Sequence, residues 1–231
     1  MLKAAGDLIR QHRSKLYELR EIIFDPDFKE IYGNLEQEEL YIVNEFHESK
    51  CFRKIHLEIA RFGSLQILHC IFFPNPRFDL PIFGLDLVSG SQGLSAAIVD
   101  LSPVAETLPK NIISEIRKLE IPQFVEVRQI PEWGTIFSPF VCFVRPINAN
   151  EESLFLAHVD KLLNILMASR NPLTADKSDS SITIERLERQ KIYCMQQKCN
   201  DKTRAVLTRT FNKEWADRYI DSVLFDCPFV L

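Results

Sequence analysis

The run from Ser64 to Phe73 constrains this chain more than any other stretch, because it has the length of a strand and both of its alternating faces are apolar. Leu65, Ile67, Ile71 and Phe73 fall on one side, and Leu68, Cys70 and Phe72 on the other. A strand of that kind needs a packed layer above it and another below. Leu40–Phe46, Phe52–Ala60, Pro81–Val88 and Leu94–Leu101 also read as strands, separated by turns with Gly or Pro. Such connections are too short for crossover helices, so the strands pair antiparallel.

The layers come from segments of helical period. One covers residues 5–23, with Ala5, Leu8, Ile9, His12, Leu16, Leu19 and Ile23 in a stripe. Others cover 109–119, 151–169, 182–199 and 200–225, the last with a break near Asn212, and Phe137–Arg145 reads as a late strand. The expected fold class is α/β, a three-layer α/β/α sandwich around a central antiparallel sheet. No change of composition marks a boundary, so residues 1–231 are read as a single domain. The polar segment 170–181, where Pro172 ends the preceding helix, reads equally as a lid or a tether.

Several function classes drop out. A net charge of −4 and a pI of about 5.8 lack the basic balance of a nucleic-acid binder. No apolar run has the length of a membrane span and the start is not a signal peptide, which gives a cytoplasmic reading. The cysteines form no C-x-x-C pair, and the spacing of Cys194 and Cys199 suits neither zinc nor an iron–sulfur cluster, so no metal site is expected. Dinucleotide, Walker, nucleophile-elbow and zincin motifs are missing, and seven glycines are too few for a phosphate cradle. The 17 Phe, against five Tyr and two Trp, belong first to the core, but such a surplus also suits the wall of a pocket for a large flat ligand.

Three places carry candidate chemistry. In Phe52–Ala60, alternation sets Ile55, Leu57 and Ile59 on one face and His56 with Glu58 on the other. Adjacent ionisable groups can deliver protons, although a solvent-facing pair is the plainer interpretation. His69, in the middle of the doubly apolar strand, is buried by its context and must find a hydrogen-bond partner or a ligand. Asp86 is the sole charge in Leu80–Val88 and shares its face with Gly84, whose missing side chain leaves room for a flat ligand. Apolar neighbours should make Asp86 resist ionisation, as suits a proton donor at neutral pH.

These residues sit in blocks that resemble the ferredoxin-dependent bilin reductases. The blocks are Phe52–Glu58, Leu68-His69-Cys70, Phe73-Pro74, Leu80–Asp86, Ser95–Pro103, Trp133–Ser138, Phe143–Pro146, Asn200–Arg204 and Trp215–Tyr219, in that order along the chain. They are nearest to the branch that forms phycocyanobilin. The resemblance implies a soluble, monomeric enzyme without a cofactor of its own. It would bind biliverdin IXα between the sheet and the C-terminal helices, and take single electrons from reduced [2Fe–2S] ferredoxin through bilin radicals. It implies Asp86 as central proton donor with His69 beside it, and His56 with Glu58 near the exocyclic vinyl group. Arg145 and Lys202 would meet the propionates, with Asn200 and Val206 near the ligand. Phycocyanobilin is the favoured product of this four-electron reduction. Phycoerythrobilin, made by phage-encoded relatives with the same residues, is the alternative. A bilin carrier with a thioether at Cys194 or Cys199 is the non-enzymatic one. A donor as acidic as ferredoxin also needs a basic face, and Lys191, Lys198, Lys202, Arg204, Arg209 and Lys213 are its candidates.

Overall fold

The doubly apolar run lies in the middle of an antiparallel sheet. A computed structural model describes residues 1–35, 37–170 and 174–228. Its strands are β1 (Arg20–Glu21), β2 (Glu30–Leu35), β3 (Glu38–Glu48), β4 (Phe52–Phe62), β5 (Leu65–Pro74), β6 (Ile82–Gly90), β7 (Gly93–Ser102) and β8 (Cys142–Val144). Strands β3 to β8 are neighbours in sequence order, while β1 and β2 flank opposite ends of β3. The tight β4–β5 and β6–β7 hairpins turn through Gly63 (φ 53°) and Gly93 (φ 93°), backbone conformations that side chains disfavour.

Among the described residues, six α-helices close over the sheet: α1 (Leu2–Arg13), α2 (Lys110–Ile116), α3 (Ala149–Ser169), α4 (Ser181–Gln197), α5 (Asp201–Thr210) and α6 (Lys213–Tyr219), with a π turn at Ile220–Leu224. One core packs Ala5 and Ile9 of α1, Ile112 of α2 and Phe155 to Leu166 of α3 against Ile55, Leu57, Leu68, Cys70, Phe72, Leu85 and Leu87. The other packs Tyr193, Leu207, Tyr219 and Val223 against Ile42, Phe46, Ala60, Ile71 and Phe73. The α/β sandwich read from the sequence is therefore the observed one. Much of the Phe surplus is core, since Phe52, Phe72, Phe73, Phe83 and Phe155 are wholly buried.

Two elements are shorter than expected. The helix read over 5–23 stops at Arg13, because Glu18 adopts a φ of 56° and Arg20–Glu21 pairs with β3. Leu16 is still buried, but Ile23 at the end of the stripe is 99% exposed. The strand read over 137–145 reduces to Cys142–Val144. Pro139 offers no ladder donor, and Ser138 is drawn onto Asp100 by its Oγ (2.5 Å) and its amide (2.9 Å). Sequence reading missed the edge strands β1 and β2 altogether. The break near Asn212 is real, for its side chain caps α6 by accepting from Trp215 N at 2.8 Å. In the 170–181 segment, Pro172 lies outside the described residues. Asp176 docks on the β5–β6 turn, its amide donating to Arg77 O at 2.8 Å and its carboxylate taking Arg186 at 2.7 Å.

Candidate active site

Register assembles the site. Asn44 stands opposite Glu58, Glu58 opposite His69, His69 opposite Asp86, Asp86 opposite Ile98 and Ile98 opposite Phe143. One straight row thus crosses the sheet from β3 to β8, on the face covered by α4 to α6, with neighbours about 4.8 Å apart. His56 stands two residues from Glu58 along β4, on the same face. The four titratable residues singled out in the sequence are therefore one cluster. They differ in exposure: His56 and Glu58 are buried (0% and 7%), whereas the Asp86 side chain is 42% exposed. The solvent-facing role that strand alternation allowed for His56 and Glu58 is thus wrong. So is the burial expected for Asp86. The run around it is apolar, but its apolar neighbours Phe83, Leu85 and Leu87 point into the opposite core.

Each group has defined partners. His69 Nδ1 lies 2.7 Å from Asp86 Oδ1, and its buried Nε2 has no partner among the described residues. Burial disfavours the imidazolium, but the charge and hydrogen bond of Asp86 outweigh it and raise the His69 pKa above its ordinary value. His56 Nε2 lies 2.7 Å from Asn44 Oδ1, its ring stacked on Phe46, and burial together with the Lys54 charge holds it well below the usual histidine range. Glu58 Oε2 meets the Tyr219 hydroxyl at 2.6 Å, and burial raises its pKa. The site therefore combines a histidine biased toward its cation, a neutral histidine and a carboxyl biased toward its acid. Such a set can release protons in succession near neutral pH.

The C-terminal segment forms part of the roof. Lys54, buried on the same face, donates to Val223 O and Asp226 Oδ1, both at 2.5 Å, and Arg53 reaches Asp226 Oδ2 at 2.6 Å. This anchorage brings the Phe225 ring edge-on to His69, with centroids 5.7 Å apart. Toward β6–β8 the roof ends. Gly84, Asp86, Val88, Ala96, Ile98 and Phe143 are only half-buried, while Leu85, Leu87, Ala97 and Val99, which alternate with them, are buried in the other core. A half-open apolar floor beside a row of proton donors is what a large flat ligand requires. Over Gly84, among the described residues, only the Tyr193 hydroxyl would lie within 4 Å of an added Cβ, at 3.2 Å. A cavity of about 500 Å³ between Arg53, Arg77, Leu187 and Pro228 lies at the other end of this layer and contains none of the row.

The remaining expected site residues stand apart from the row. Arg145 follows β8 and is paired with Glu126 at 3.4 Å. Its neighbour across the 126–145 pairing, Arg128, was not singled out in the sequence; its guanidinium stands 6.0 Å from the Phe143 ring, which belongs to the floor. Asn200 caps α5 by accepting from Lys202 N at 3.3 Å. The Lys202 side chain is exposed and Val206 half-buried. Among the described residues, no hydrogen bond joins Asn200, Lys202 or Val206 to the row. Asn44 and Tyr219 were also missed. Asn44 left one signal, a polar residue on the inward face of Leu40, Ile42 and Phe46; Tyr219 gave none apart from its place in the Trp215–Tyr219 block of the resemblance.

The basic face carries three acids of its own. Lys191 pairs with Glu188, Lys198 with Asp221, and Arg204 and Lys213 both with Asp217. Of the two thiols considered for a covalent carrier, Cys194 is disfavoured, since burial pushes it up to about 12; Cys70 lies in the opposite core. Cys199 is exposed. Among the described residues, no helix is long and apolar enough to cross a membrane, and no cluster of His, Cys, Asp and Glu has the makings of a metal site.

Residues 6–226 match the family model described as ferredoxin-dependent bilin reductase. The chain is 52% identical over 229 residues to the phycocyanobilin:ferredoxin oxidoreductase of Prochlorococcus marinus (strain MIT 9313), covering 99% of this chain and 87% of that protein. It is 50% identical to the protein of the same name from Synechococcus sp. (strain CC9902), covering 95% and 90%. Among solved structures, phytochromobilin synthase from tomato in complex with biliverdin superposes with a TM-score of 0.76 over 96% of this chain and 82% of that one. At 16% identity that likeness is one of fold.

Proposed function

The chain belongs to the ferredoxin-dependent bilin reductase family, and from that premise we propose that it reduces biliverdin IXα by four electrons to a phycobilin, phycocyanobilin being favoured. The observation that carries this reading is the row Glu58–His69–Asp86, registered across three strands beside a half-open apolar floor. Electrons arrive singly from reduced [2Fe–2S] ferredoxin, the substrate passes through radicals, and the protein supplies protons and position. The relatives named phycocyanobilin:ferredoxin oxidoreductase support that product over phycoerythrobilin.

The roles follow from the partners. His69 Nε2, buried and without a hydrogen-bond partner among the described residues, is the donor to the bilin in this reading, its cation sustained by Asp86. Asp86, half-exposed, touches the substrate and exchanges protons with water. Glu58, with His56 behind it, serves the vinyl end in the dry part of the site, where a neutral acid delivers its proton without first giving up a charge–charge contact. Gly84, on the same half-buried face as Asp86, borders the tetrapyrrole. Lys202, free of any ion pair among the described residues, and Arg145 with Arg128 meet the propionates through charge-assisted hydrogen bonds. Asn200 and Val206 line the α5 side. The enzyme acts as a single-domain cytoplasmic monomer with no cofactor of its own.

Anaerobic incubation with biliverdin and reduced ferredoxin, followed by chromatography, tests the reading. Phycocyanobilin is the expected product. Phycoerythrobilin would retain the chemistry and change the regiochemistry, and biliverdin recovered unchanged would refute the assignment.

A further inference from the structure

Proton counting around Asn44 fixes the state of Glu58. Asn44 Nδ2 lies 2.7 Å from the carbonyl oxygen of Phe28, which can only accept, so the amide orientation is set and Oδ1 points inward as an acceptor. Oδ1 is met by His56 Nε2 at 2.7 Å and by the Tyr219 hydroxyl at 3.0 Å, and the same hydroxyl meets Glu58 Oε2 at 2.6 Å. Each contact needs one proton. His56 supplies the first from Nε2–H. Tyr219 has a single O–H, and giving it to Asn44 leaves the Glu58 contact to be filled by a proton on Glu58. Were Glu58 ionised, Tyr219 would turn its hydrogen to the carboxylate, and two bare oxygens would face each other 3.0 Å apart. Tyr219 itself is wedged between Trp215 (centroids 5.1 Å apart, stacked) and Phe28 (5.8 Å), so only its hydrogen is free to move.

We infer that Tyr219 and Asn44 are positioning residues that form a two-position hydrogen switch for Glu58. In the loaded position Tyr219 donates to Asn44 and accepts from the Glu58 acid. When Glu58 passes its proton to a substrate carbon that has taken up an electron from ferredoxin, the Tyr219 hydrogen swings to the new carboxylate. No covalent bond to the protein forms, and the Glu58 proton is restored from water. The delivery step rests on the proposed function; the resting protonation does not. The titratable groups facing Glu58 are His56 on its own strand, His69, Asp86 and Tyr219. Its burial works in the same direction as the proton count.

Infrared titration of the substrate-free protein separates the two. Wild type near neutral pH should show a carboxylic-acid carbonyl band that Glu58→Gln removes; its absence would overturn the inference. Tyr219→Phe deletes the donor that stabilises the carboxylate, and a charge-assisted bond outweighs the neutral one lost with it, so the band should persist to higher pH. Asn44→Ala frees the Tyr219 hydrogen for Glu58 and should make the band vanish at lower pH. Opposite displacements are the signature, because a purely structural role gives no such pair of signs. An unmoved or same-direction response would refute the switch, and if one variant does not fold, the sign of the other decides alone. With biliverdin and ferredoxin, Tyr219→Phe should slow the reduction at the vinyl end at least about tenfold, equivalent to about 1.4 kcal/mol. Should the infrared signs hold while biliverdin is not reduced, the switch stands and the substrate assignment fails.

Discussion

Replacing Asp226 with Asn should destabilise the protein more than replacing Lys54 with Met, although both break the same 2.5 Å contact. The Lys54 side chain is 5% exposed, and among the described residues Asp226 is its only anionic partner, the other partner being the Val223 carbonyl. Asp226→Asn strands a buried ammonium, for which about 3–5 kcal/mol is usual. The lysine limits that cost by shedding its proton, since burial already holds its pKa below the ordinary value. About 3 kcal/mol is expected at pH 7. Lys54→Met leaves Asp226 held by Arg53 at 2.6 Å and puts an apolar stem in an apolar slot. Its main loss is the donor to Val223 O, about 1 kcal/mol net. The pH dependence has a definite sign. A lysine whose folded pKa is depressed binds fewer protons folded than unfolded, so stability rises with pH toward the unfolded value of about 10.4. Asp226→Asn should recover stability between pH 7 and 9, and Lys54→Met should show no such recovery. Urea unfolding at several pH values measures both, with midpoints shifting at constant m. Because the anchor sets Phe225 against His69, Asp226→Asn should also weaken biliverdin binding. Equal or reversed losses, or a flat pH response for Asp226→Asn, would refute this account of the anchor.

Three further outcomes are expected. Asp86→Asn should retain biliverdin and stall turnover, leaving a long-lived radical visible by electron paramagnetic resonance; in wild type, turnover should fall as pH rises through the raised His69 pKa, and any residual activity of the variant should show that limb at lower pH. Glu58→Gln should accumulate a two-electron-reduced intermediate on chromatography, while complete loss of reduction would indicate a role in binding or folding. Arg128→Ala should weaken biliverdin binding by about tenfold, the scale of one charge-assisted bond, and by more than Arg145→Ala, whose guanidinium is already engaged by Glu126; titration of the bilin absorbance would show the order.

The row of titratable groups was legible in the sequence as separate faces. Strand alternation is a local property with period 2, so His56 and Glu58, or Gly84 and Asp86, share a face whatever the strand pairs with. The doubly apolar β5 likewise dictated layers on both sides. The resemblance of the ordered blocks then indicated which face carries chemistry. Which residues stand side by side is a matter of register, a non-local property set by hairpin geometry and by which apolar set enters which core. Only the folded chain places Glu58, His69 and Asp86 in one line, and only helix packing decides that the line runs from a dry end at Asn44 to an open end at Asp86. That is why Asp86, the most isolated charge in the sequence, is half-exposed, and why His56 and Glu58, which looked like surface residues, are buried. Tyr219 shows the limit most plainly. Its hydroxyl meets Glu58 across 161 positions of chain, a contact that no local pattern encodes and that the packing of α6 on the sheet alone creates.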